Sequence, residues 1–170
     1  CHLQHMSHTI EQGMTDQEEA GFKNDYEGPS SEGKAEMVVL SQNIGVPATS
    51  ACLCLFVYDC ISVKDFADMI RTVTGWDFSQ DDLIRLGEKI WLLMRGITNL
   101  LGAGADHDML PPHVLTPLNE GMTFGSVPDI EKMLAEFYEL RGLDANGVPR
   151  RDVLERCGLH DLADKLYGGG

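Results

Sequence analysis

Apolar side chains recur along this chain mostly at helical spacing. Phe66, Met69, Ile70 and Val73 fall at i, i+3, i+4 and i+7, the period of one helix face. Ser62 followed by Asp65 makes a capping-box start, and Gly75 is placed to end the segment. A second helix opens at Ser79 with Asp82. Leu83, Leu86, Ile90, Leu93 and Ile97 continue it on one face, which Trp91 and Met94 widen. That pattern predicts a well-buried helix, with Gly87 and Gly96 lowering its local propensity. A third helix starts at Pro128–Asp129 and carries Ile130, Met133, Leu134, Phe137 and Tyr138 on one side. GLDANGVP (142–149) reads as a turn. RRDVLERCGL (150–159) reads as a short helix stopped at Gly158, and HDLADKLYGGG (160–170) as a last short helix with a flexible tail.

The first part of the chain is less regular. Residues 1–12 are rich in histidine. Residues 13–33 are acidic, contain Gly and Ser, and hold few aliphatics, which predicts a flexible loop. KAEMVVLSQN (34–43) has good helix formers, and GVPATS (45–50) is expected to break that helix. ACLCLFVYDC (51–60) is an apolar run whose type the period does not decide. Residues 101–128 form a long segment with four prolines, the kind of loop that is functional or packed on itself. Strand signals are nearly absent and no internal repeat is found. The expected fold is all-α and multihelical, an irregular orthogonal bundle with long loops. The expected division is 1–47, an N-terminal segment with the histidine-rich start and the 13–33 loop, and 48–170, a helical C-terminal domain.

Charge narrows the function. The chain of 170 residues has a formal net charge of −14, and no basic stripe is available to displace counterions. Nucleic acid and anionic membrane are therefore not expected partners. No apolar run reaches the roughly 18 residues of a membrane span. The chain begins CHLQHMSH, with neither an initiator Met nor a basic-then-apolar leader. It reads as a fragment or processed product, with a cytoplasmic setting as the expectation.

The five cysteines, Cys1, Cys52, Cys54, Cys60 and Cys157, are odd in number and make no disulfide framework. Buried free thiols are the plain expectation. Cys52 and Cys54 are one residue apart, a spacing that strains a disulfide, so the alternatives there are core filling or metal ligation. Cys1, His2, His5 and His8 have zinc-ligating chemistry, but their spacing drifts around a helix. DANGVPRRDVLE (144–155) imitates a calcium loop, yet Val148 and Pro149 stand where a ligating oxygen and the turn glycine belong. Asp106, His107 and Asp108 on one loop have the chemistry of acid–base catalysis; the alternative is a polar turn at a helix end. No phosphate loop, dinucleotide fingerprint or nucleophile elbow is present.

Three blocks carry a resemblance. MLAEFYELRGLDANGVPRRDVLERCGL (133–159) resembles the C-terminal signature of the tungsten-containing aldehyde:ferredoxin oxidoreductase family through Phe137, Tyr138, Leu140, Arg141, Gly142, Asp144, Gly147, Pro149, Leu154, Gly158 and Leu159. TGWDFSQDDLIRLGEKIWLLMRGITN (74–99) is similar to the family's T-G-x-x-x-(T/S)-x-x-(D/E)-L-x-x-x-G-E-R-I helix, and DMLP (108–111) to its D-x-L-P element. Upstream, TSACLCLF (49–56) is similar to the family's D-x-x-G-L-C element. On that register Cys54 matches the fourth ligand of a 4Fe–4S cluster. Thr49, Ser50, Cys52 and Leu53 match the stretch that faces the pterin. CHL at 1–3 makes His2 a candidate proton donor or acceptor beside the cofactor. Departures are Thr49 in place of an Asp, Cys52 in place of a Gly, Leu101 and Ala103 where an Arg and a Gly follow Asn99, and Leu143 in place of a Trp.

The resemblance implies an enzyme: a tungsten (or molybdenum) bis-pterin oxidises an aldehyde, or a related carbonyl-level substrate is reduced, and the cluster passes electrons to ferredoxin or another redox subunit. It implies that the remainder of a parent chain supplies the other cluster ligands, and that this segment alone is inactive and without cofactor. Two rival readings stand beside it. One is a non-catalytic helical interaction module. The other is a small zinc-binding protein using Cys1, His2, His5 and His8.

Overall fold

The computed structural model describes residues 30–54, 57, 61–121 and 124–168. His2 and the rest of the N-terminal Cys/His group lie outside the described residues, as do Cys60 and most of the 13–33 loop. The described elements are helices α1 (Lys34–Ser50), α2 (Val63–Thr74), α3 (Gln80–Leu100), α4 (Ile130–Arg141), α5 (Arg151–Arg156) and α6 (His160–Tyr167), with short 3₁₀ turns at Ala105–His107 and Pro112–Leu115. Two isolated β-bridges join Leu118 to Phe124 and Leu143 to Pro149, and no sheet forms among the described residues. The fold is all-α and multihelical. The described chain falls into two compact units, one within Met37–Leu92 and one formed by residues 30–36 with 93–168.

In the first unit α1 does not stop at GVPATS. It runs through Gly45 and Pro47 to Ser50, and so crosses residues 47 and 48 unbroken. Residues 43–48 are all buried, and a helix enclosed on every side has no polar stripe to reveal it. Pro47 has no N–H to give the Asn43 carbonyl. That carbonyl lies against α3 at Gly87, where a Cβ would sit 1.7 Å from the Asn43 oxygen. Only glycine permits this approach, so the residue that lowers helix propensity is the one that lets the two helices meet.

α2 and α3 start where their caps predict. Ser62 and Asp65 form a capping box, and Gly75 closes α2 in the left-handed region. Ser79 Oγ accepts from the Asp82 N–H, and Asp82 accepts from the Ser79 N–H. The Ser79 hydroxyl donating to Asp82 Oδ2 at 2.5 Å, then the Ser79 N–H, then Arg85 hold the Asp82 carboxyl down at about 2. The buried face of α3 differs from the expected one. Leu83, Gly87, Trp91, Leu92 and Gly96 are buried, whereas Leu86, Leu93, Met94 and Ile97 are exposed. α3 packs through glycines and leaves much of its large-residue stripe on the surface. Met69 and Val73 on α2 are likewise exposed.

In the second unit α5 and α6 pack together around Val153, Leu154, Leu162 and Ala163, all buried. Leu162 also fills the space over Gly96. Arg151 pairs with Asp164, and Tyr167 Oη donates to the Pro149 carbonyl at 2.9 Å. Residues 30–33 lead into α1. Ser31 Oγ accepts from the Asp129 N–H, and Glu32 pairs with Lys132.

Candidate functional site

The end of α1 positions the first group of residues. Thr49 and Ser50 leave the buried part of the helix and are exposed. Each hydroxyl donates back one turn, Thr49 to the Gly45 carbonyl at 3.1 Å and Ser50 to the Val46 carbonyl at 2.9 Å. The chain then turns through a Schellman motif: Leu53 N–H donates to the Ala48 carbonyl at 3.0 Å and Cys52 N–H to the Thr49 carbonyl at 3.1 Å. Cys52 occupies the left-handed position of that motif, with φ 56°, and is the one described residue other than glycine with positive φ. This position is where the resembled family carries glycine. An L-residue there costs about 1 kcal/mol.

Cys52 and Cys54 are both free and exposed, and Cys157 is half-buried. The expectation of buried thiols therefore fails at all three. The reason at Cys52 and Cys54 is the longer helix: α1 uses residues 43–48 as its buried part, so ACLC begins outside the core. The Cys54 carbonyl accepts from the Val57 N–H at 3.0 Å.

This turn fits an iron cluster as the source of one thiolate ligand. No group of three or more His, Cys, Asp or Glu side chains converges among the described residues, so a cluster held here takes its other ligands from elsewhere. Thr49 and Ser50 fit a pterin as acceptors, because their protons are given to the helix and oxygen lone pairs remain. Neither brings the negative charge of a carboxylate.

The second group lies in the other unit and was not singled out as a set by the sequence. Arg95 reaches from α3 and grips Asp108 with two bonds, Nη1–Oδ1 at 2.8 Å and Nη2–Oδ2 at 2.5 Å. Tyr138 Oη, from α4, donates to the same Oδ2. Arg95 Nε and Asn99 Nδ2 donate to the Gly147 carbonyl at 2.7 and 3.3 Å. Arg95 and Asp108 are only 13% and 22% exposed, so this ion pair is screened little by solvent. Burial raises the Asp108 carboxyl, but the bonds from Arg95 and Tyr138 outweigh it and hold the group below the ordinary carboxylate value. Burial first, and then the Asp108 bond, push Tyr138 up to about 12. Asp108 raises the Arg95 guanidinium in turn.

Asp106, His107 and Asp108 therefore do not act together. Asp106 Oδ1 lies 2.8 Å from His107 Nδ1 in an exposed pair, while Asp108 points inward to Arg95. The calcium-like loop is also explained. Asp144 Oδ1 accepts from the N–H groups of Asn146 and Val148 at 2.8 and 3.0 Å, so its oxygen closes a turn rather than facing a cation. Gly147 sits at φ 71°, and a Cβ there would meet Arg95 Nη2 at 2.2 Å.

Beside this network is an open cleft of about 380 Å³ lined by Asn99, Gly104, Asp106, Asn146 and Val148 among others. The N–H groups of Gly102, Ala103 and Ala105 are taken by the Asn99, Thr98 and Asn146 carbonyls, and that of Gly104 by Asp106. The cleft thus lacks the free amides of an anion nest. One signal in the sequence was available for this group: Arg95, the single charge between Ile90 and Leu100 of α3, and Asp108, Tyr138 and Gly147 each belong to one of the three resembling blocks.

Residues 1–159 match the family model described as aldehyde ferredoxin oxidoreductase, domains 2 and 3. The tungsten-containing aldehyde ferredoxin oxidoreductases of Pyrococcus horikoshii, Pyrococcus abyssi and Thermococcus kodakarensis are each 35% identical to the chain over 136 residues. That alignment covers 78% of this chain and 22% of each relative, so the chain spans about a fifth of the length of the relatives it matches.

Proposed function

Because the chain belongs to the aldehyde ferredoxin oxidoreductase family, we propose that it forms the C-terminal helical part of a tungstopterin and iron–sulfur oxidoreductase acting on aldehydes or related carbonyl-level compounds. The observation that carries this reading is the exposed thiol of Cys54 on the rigid turn after α1, at the place where the family's motif has a cluster-ligating cysteine. When bound, the metal pterin supplies two-electron chemistry at the carbonyl carbon and the 4Fe–4S cluster passes electrons one at a time.

The chain's own residues have narrower tasks. Cys54 as thiolate holds one iron. Thr49 and Ser50 hydroxyls, with the stretch through Cys52 and Leu53, would hold the pterin, the hydroxyl oxygens serving as acceptors. His2 gives or takes a proton near the substrate. The helices exclude water from the substrate path. The chain carries a formal net charge of −14, so an acidic electron acceptor such as ferredoxin docks on another part of the protein. No described helix is long and apolar enough to cross a membrane.

The test removes both thiols of the turn, Cys52→Gly with Cys54→Ala, in the full-length protein that carries this segment. The expected result is loss of cluster iron and labile sulfide with unchanged helical circular dichroism. Full iron content in that variant would refute the reading.

A further inference from the structure

The second half of α3 turns its polar side inward and its apolar side outward. Gly96 is buried against Leu162. Arg95 and Asn99 hold the Gly147 carbonyl, and Arg95 also grips Asp108. On the other side, Leu93, Met94, Ile97 and Leu100 are each 38–49% exposed and Leu101 is 83% exposed. Leu101 continues the helical turn past Leu100, its N–H donating to the Ile97 carbonyl at 3.1 Å. At roughly 100° per residue these five side chains fall within about 120° of arc, with Arg95, Gly96 and Asn99 opposite them. A helix at a water-facing surface has the reverse arrangement.

We propose that this stripe is an internal interface of the parent protein, covered by an apolar, uncharged surface of the parent chain outside residues 1–170. The proposal draws on family membership and does not depend on the cluster-binding role of Cys54.

Three observations select that occupant. First, the stripe carries no charge: Arg95 is the single charged residue between Ile90 and Leu100, and it is bound to Asp108 on the inward side. A row of large apolar side chains without charge marks a surface made to be covered. Second, chain to cover it exists in the relatives, since the alignment leaves about four-fifths of each of them outside this segment. A surface on the same polypeptide meets the stripe at high effective concentration, so a short stripe suffices. Third, the alternatives fit poorly. Two separate copies would need roughly 20–30 residues a side, and at −14 each they repel. A membrane-surface helix carries Lys and Arg on its polar face, whereas here the one cation on that face is spent on Asp108. Leu101 adds to the argument, because the resembled motif has Arg there and this chain lengthens the apolar stripe instead.

The experiment places the photo-cross-linking residue p-benzoylphenylalanine at Met94 or at Ile97 in the full-length protein that carries this segment. After irradiation, intact mass and peptide mapping identify what lies against the stripe. The expected result is a cross-link within one chain, to an apolar peptide outside residues 1–170. A product of twice the chain mass would assign the stripe to a second copy and overturn the proposal. A cross-link to residues 1–29, or none at either position, would overturn it equally. Ile97→Glu gives an independent reading. It is expected to lower the thermal midpoint of the full-length protein by several degrees, because a carboxylate cannot be covered by an apolar surface without cost. An unchanged midpoint at unchanged helical circular dichroism would show that the stripe faces water and would overturn the proposal.

Discussion

The turn at Cys52–Cys54 and the Arg95–Asp108–Tyr138 network handle polar chemistry in opposite ways. In the network the charged groups are engaged with one another, while Asn99 Oδ1 is buried without a hydrogen-bond partner. Asp108 takes three bonds from Arg95 and Tyr138, and the Gly147 carbonyl takes two from Arg95 and Asn99. Such a set fixes loops in place, with its charged side chains spent on holding one another. At the turn the N–H groups of Ala51, Cys52 and Leu53 bond to the end of α1, and the thiols of Cys52 and Cys54 are free and exposed. One of them is held on a left-handed backbone. A charged cluster is thus the architectural element here, and the exposed thiol of Cys54 is the element to which we assign chemistry. Pattern-matching on charge alone would have chosen the reverse.

The contrast can be broken at either end. The largest effect is expected from Asp108→Ala, which leaves Arg95 half-buried without its carboxylate. Denaturant unfolding should show a loss of about 3 kcal/mol, with cluster iron in the full-length protein unaffected. A smaller loss, about 1 kcal/mol, is expected for Tyr138→Phe. That variant also changes the alkaline limb of stability. The folded phenol is raised from 10.0 to about 12, so its contribution is complete below pH 10 and is lost as pH rises through about 12; Tyr138→Phe removes this dependence. The acid limb has the other sign. Asp108 is held below 3.8, so its contribution is present above that value and fades as pH falls through the folded one. The smallest effect is a gain. Cys52→Gly relieves the left-handed strain and should raise stability by about 1 kcal/mol, read as a higher unfolding midpoint at an unchanged denaturant slope.

Helix starts and stops were legible because caps act locally. Ser62 with Asp65, Ser79 with Asp82, Asp129, and Gly75 each do what their residue types allow at that place. The length of α1 was not legible. Pro47 predicts a break, and the compensation comes from Gly87, far away in sequence, whose bare Cα admits the Asn43 carbonyl. The buried face of α3 was misread for the same reason: its packing runs through Gly87 and Gly96, which no hydrophobic count rewards. The family blocks located Asp108, Tyr138 and Gly147 individually, but their meeting at Arg95 is a long-range fact that no spacing announces. The exposure of Cys52 and Cys54 followed from where α1 ends, so one missed boundary hid the state of both thiols.

The central claim is that the turn serves chemistry and the network serves architecture. The most direct test measures iron per chain and unfolding midpoint together in the full-length protein for two variants, Cys52→Gly with Cys54→Ala, and Asp108→Asn. The account predicts that the first loses its cluster iron at an undiminished midpoint, and that the second keeps its iron at a lowered one. Iron lost in Asp108→Asn at an undiminished midpoint, or kept in the variant lacking both thiols, would contradict it.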